Sequence, residues 1–165
     1  MVGVVVALWA AWGEPAFAHG GLPHFASVVT SIEPAVPGTH ISVAPDGRYL
    51  RITNPTRRTL VVLGASHEEY LRVTSHGVWL STHAPANYLD TGATRHAPAD
   101  PGPDPVWRQV STSATAQFRD DRIRWTGSGR PDVVVREPHK LHLIRTWTVA
   151  LVVDGTPVAI NGTLS

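Results

Sequence analysis

The chain carries nine histidines but a single lysine, Lys140, so imidazole is its most abundant nitrogen ligand apart from arginine. Two of these histidines are placed to act together. Val2 to Trp12 is a short apolar run, broken by Gly13, Glu14 and Pro15, and Ala16-Phe17-Ala18 supplies the small residues a signal peptidase reads. Residues 1–18 are therefore read as a secretory signal peptide. The run is too short to span a bilayer, which takes about 20 apolar residues. No basic residue precedes it, which places the natural start upstream of Met1 or makes the signal a weak one. Cleavage after Ala18 makes His19 the new N-terminus. An α-amine and an imidazole on one residue form a chelate suited to copper, although imidazole ligands serve several metals. Gly20, Gly21 and Pro23 let the segment fold back, so His24 is the expected second ligand.

The other histidines fit a metal site less well. His139-Lys140-Leu141-His142 falls at the start of an expected strand, where positions three apart point to opposite faces. His67, His76, His83 and His96 fall in turns or loops, where solvated histidines are common, and no H-E-x-x-H occurs. Asp120 and Asp121 are neighbours on what reads as a strand, so they cannot jointly flank one bond. With Arg119, Arg122 and Arg124 they are expected to form an ion-paired strand face. There is no G-x-S-x-G elbow, phosphate loop or nucleotide fingerprint, and the chain is read as non-catalytic.

Composition narrows the class. The absence of cysteine excludes thiolate metal sites and cysteine nucleophiles. Acidic and basic residues nearly balance, so the electrostatic footprint of a nucleic-acid binder is missing. A signal peptide points to secretion or to the extracytoplasmic face of the membrane, where partners would be envelope or membrane proteins.

These side chains must be held by strands. Phe25 to Ile32, His40 to Val43, Tyr49 to Ile52, Thr59 to Leu63, Glu69 to Val73 and Gly77 to Leu80 are short β-type runs separated by turn residues. Pro45-Asp46-Gly47 reads as the turn of a hairpin. From Leu141 onward, Leu143, Trp147, Val149, Leu151 and Val153 alternate with polar or smaller residues, Arg145 being the exception. Asp154-Gly155 turns the chain, and Val158, Ile160 and Leu164 continue the pattern. This predicts a long hairpin with one buried face, placing Leu143 in the core. No helical periodicity is sustained. Residues 84–105 hold five prolines and little periodicity, so a long surface loop is expected there. The result is an all-β chain: residues 19–165 as a single antiparallel β-sandwich domain of immunoglobulin-like architecture. Trp147 is expected in the core, Trp125 at the end of a charged strand over an arginine, and Trp79 and Trp107 as packing at the loop rim.

Several segments carry a resemblance: Glu69-Tyr70-Leu71-Arg72-Val73, Gly77-Val78-Trp79, Ala84-Pro85-Ala86-Asn87-Tyr88-Leu89, Pro105 to Ser111, Asp120 to Trp125 and Trp147 to Leu164. Together they resemble a family of uncharacterised exported actinobacterial proteins, over most of residues 27–164. The resemblance implies an extracytoplasmic β-rich domain, often followed in relatives by a transmembrane helix, and no established activity. In that family the block before Trp125 tends to read Asp-His-Arg-x-His-Trp; here Asp121 and Arg124 stand where those histidines would be. A metal pair at those positions in relatives would be lost in this chain.

Two readings follow. One is an exported, non-catalytic binding or interaction module of the cell envelope. The other is an extracytoplasmic copper-binding protein whose first ligand is His19, with His24 beside it.

Overall fold

The computed structural model describes residues 25–85 and 104–165. The expected signal peptide, His19, His24, His96 and most of the expected loop lie outside the described residues. Those described form two antiparallel sheets. The strands are β1 (Ser27–Glu33), β2 (His40–Val43), β3 (Tyr49–Thr53), β4 (Leu60–Leu63), β5 (Glu69–Thr74), β6 (Gly77–Ser81), β7 (Trp107–Ser111), β8 (Thr115–Arg119), β9 (Arg145–Val153) and β10 (Thr156–Leu164). The larger sheet runs β1-β10-β9-β4-β5-β6-β7, and the smaller β2-β3-β8. Among the described residues a 3-10 turn at Asp121–Ile123 and a five-residue helix at Asp132–Arg136 lie between β8 and β9.

Side-chain period decides which face is buried. On β9, Trp147, Val149, Leu151 and Val153 point inward, and Val158, Ile160 and Leu164 do so from β10. They meet Ile41, Leu50, Ile52 and Ala116 of the smaller sheet in one core. Burying each such aliphatic side chain contributes about 1.5–3 kcal/mol. β4 lies between β9 and β5. Leu60, Val61 and Val62 are all buried there, which explains an unbroken apolar run in place of an alternating one.

The turns follow their residues. Asp154 and Gly155 both adopt positive φ, at 49° and 83°. Two left-handed residues in succession give the tight reversal whose twist matches its strands. The Asp154 carboxylate also accepts from the Thr59 amide at 2.9 Å, tying the hairpin tip to the start of β4. In the β2–β3 turn Gly47 sits at φ 69°, and the Arg48 amide donates to the Asp46 carboxylate at 3.0 Å. Between the sheets, Asn54 is fully buried and fully used. Its Nδ2 donates to the carbonyls of Arg58 and Val73, and its Oδ1 accepts from the Thr56 hydroxyl and amide.

Two expectations are corrected. The apolar alternation does not reach back past Arg145: Leu141 and Leu143 are 85% and 63% exposed, in irregular backbone before β9. The chain there leaves the ladder, since only the Ile144 amide reaches back, to the Leu164 carbonyl. The second correction concerns Asp120 to Trp125, which is not a strand. β8 ends at Arg119, and Asp120 caps a 3-10 turn by accepting from the Arg122 amide.

Candidate functional site

The expected metal ligands are the first question. His19 and His24 lie outside the described residues. The described histidines are dispersed: His40 is exposed on β2, and His67, His76 and His83 sit in or beside turns. His142 Nε2 lies 2.9 Å from the Glu137 carbonyl and 3.8 Å from its carboxylate. Among the described residues no three of His, Cys, Asp and Glu gather around one point.

The acidic pair divides its work. Asp120 is 1% exposed and takes a bidentate ion pair from Arg122, whose Nη2 lies 2.6 Å away and also donates to the Leu63 carbonyl. Asp121 is half-exposed and pairs with Arg124 at 2.6 Å and with Arg119 at 3.6 Å. The expected ion pairing is present, on a turn instead of a strand face. Arg145, the exception in the β9 pattern, accounts for the turn's position. It is paired with Leu164 in register, and its guanidinium donates to the carbonyls of Asp121, Arg122 and Arg124 at 2.9, 2.8 and 2.6 Å. The group of charges is thus a scaffold holding the end of β8 against the large sheet.

The tryptophans also sort themselves. Trp147 is core. Trp125 packs on Phe25, centroids 6.0 Å apart, and donates to the Gly129 carbonyl. The arginine stacking expected at Trp125 occurs instead at Trp107, where the Arg72 guanidinium lies 4.1 Å from the ring centroid.

β7 and β8, whose residues show no clear strand period, frame a concavity among the described residues. β7 ends the large sheet and β8 ends the small one. The sheets part between them over a cleft of about 380 Å³, within the range of about 300–1,000 Å³ common for ligand sites. Tyr70, Leu80, Val110 and Phe118 contribute its apolar wall, while Gln117 and Arg119 contribute polar groups. Tyr70 and Phe118 meet edge to face, centroids 5.8 Å apart, and bridge the two sheets at the cleft floor. Val110 is 47% exposed and Val106, just before β7, 50%. The cleft wall carries no histidine, aspartate or glutamate among its described residues.

The sequence hid this site because β7 shows no clean alternation. Trp107, Arg108, Gln109, Val110 and Ser111 mix size and polarity, and a register shift between Val78 and Trp79 breaks their pairing with β6. The available signal was Val106 and Val110 beside a long loop.

No family model, curated protein or solved structure matches the chain.

Proposed function

We propose that this protein is an exported, non-catalytic binding module of the cell envelope, built as an immunoglobulin-like sandwich, and that it engages its ligand in the cleft between β7 and β8. The observation that carries this reading is the cleft itself: an apolar wall with a polar rim, opening between the two terminal strands of separate sheets. Sites of that composition bind by burying apolar area and use a few polar groups for orientation. The signal peptide supplies the extracytoplasmic location.

The test is photo-crosslinking in the native host. A photoreactive residue replaces Val110 in one strain and Thr146, exposed on β9, in another. The Val110 form is expected to give a discrete adduct that excess unlabelled protein suppresses, and the Thr146 form none. Equal labelling from both sites, or none from Val110, overturns the reading.

A further inference from the structure

We infer that the cleft receives an extended acidic peptide segment, which adds as a strand to the edge of β7 that faces away from β6. The inference rests on the cleft being the binding site, and names what occupies it.

The backbone supplies the first argument. β7 is the terminal strand of a seven-stranded sheet, so one row of its amide and carbonyl groups faces away from β6. Native edges are commonly blunted with lysine, proline or an overlying element. β7 contains neither residue, and Arg108, Gln109 and Val110 are exposed in succession. The opposite end of the same sheet differs, because β1 is backed by β2 of the smaller sheet. An incoming strand at β7 would pair main chain to main chain and turn alternate side chains into the cleft. There Val110, Leu80, Tyr70 and Phe118 would receive apolar groups.

Charge supplies the second. Arg119 is a lining residue, and Arg108 shares register with Leu80, which also lines the cleft. No carboxylate belongs to the wall. Asp121, 3.6 Å from Arg119, is held more closely by Arg124, at 2.6 Å. Two guanidinium groups therefore flank the cleft with little local compensation, and carboxylates on the incoming segment would complement them. Because positions two apart share a face of a strand, carboxylates and valine-like side chains at alternate positions on the cleft side satisfy both requirements at once.

The probe is a capped heptapeptide with glutamate, valine, valine and glutamate at its odd positions and threonine between them, so that one face carries both groups. Its two comparators are the same peptide with N-methylated backbone amides and one with lysine in place of glutamate. Binding is read from amide chemical shifts and hydrogen exchange of ¹⁵N-labelled protein. The glutamate peptide is expected to shift and protect the amides of Trp107–Ser111. N-methylation should weaken binding at least tenfold, and R108E should move the preference toward the lysine peptide.

Equal binding of the N-methylated peptide overturns strand addition while leaving the cleft as a binding site. So does absence of peptide binding alongside a persistent Val110 adduct. Loss of that adduct instead removes the cleft reading itself. A concentration-dependent dimer protecting the same amides without peptide makes a second copy the occupant, and overturns the peptide assignment.

Discussion

The Trp147 indole lies over Gly162, its register partner on the neighbouring strand. A Cβ at Gly162 would run into Cζ2 and Cε2 of that ring and into the Val28 carbonyl oxygen. The glycine is where β10 yields space so that β9 can bury an aromatic, while the Val28 contact brings β1 close on the far side.

Replacing Gly162 with alanine is therefore expected to destabilise the fold by about 1–3 kcal/mol, through forced displacement of packed groups. Denaturant unfolding measures it. In a W147L background the cost should shrink, since one of the two obstacles is gone. An unchanged cost in both backgrounds would place the conflict wholly at Val28.

Arg145 offers a second test. R145A removes all three bonds to the turn carbonyls at Asp121, Arg122 and Arg124. A loss on the order of 2–3 kcal/mol is expected, because partly buried carbonyls lose a charged donor. R145K should recover part of it, since all three carbonyls converge on the single nitrogen Nη2 and an ammonium carries three donors, on a shorter stem. The expected companion signal is faster hydrogen exchange at Ile123, whose side chain is fully buried beneath the turn.

At Asp120 the prediction concerns coupling. D120A leaves the Arg122 guanidinium without its carboxylate. Removing one member of a buried pair costs about 3–5 kcal/mol, and the 24% exposure of the Arg122 side chain places this case toward or below the low end. D120A combined with R122A should cost clearly less than the sum of the single changes. Strict additivity would mean that the pair does not act as a unit.

Leucines of similar appearance in the sequence should behave oppositely. L143S is expected to change stability by no more than about 0.5 kcal/mol, as a surface substitution does. L151A should cost about 2–5 kcal/mol, because Leu151 is 1% exposed in the core. Thermal or urea unfolding separates the two directly.

Much of the fold was written in local pattern. Val149, Leu151, Val153, Val158 and Ile160 occupy the buried face that their alternation predicted, and Asp154-Gly155 makes the predicted reversal. The β2–β3 and β5–β6 pairs also follow from strand runs and turn residues that are contiguous in the chain. Such features are legible because side-chain period and turn chemistry act over a few residues. Leu143 shows the limit: its spacing matches the strand, but alternation cannot say where the ladder stops, and Leu141 and Leu143 fall beyond its last pairings.

The tertiary structure alone decided what Arg145 and the cleft do. In sequence Arg145 is a polar residue at an apolar position. Its reason is three carbonyls more than twenty residues away, gathered by the 3-10 turn after β8, which packs against β9. Val110 and Phe118 are likewise ordinary apolar residues in two short strands. They face one cleft because β7 and β8 terminate different sheets, and strand order is set by long-range packing, which no local period records.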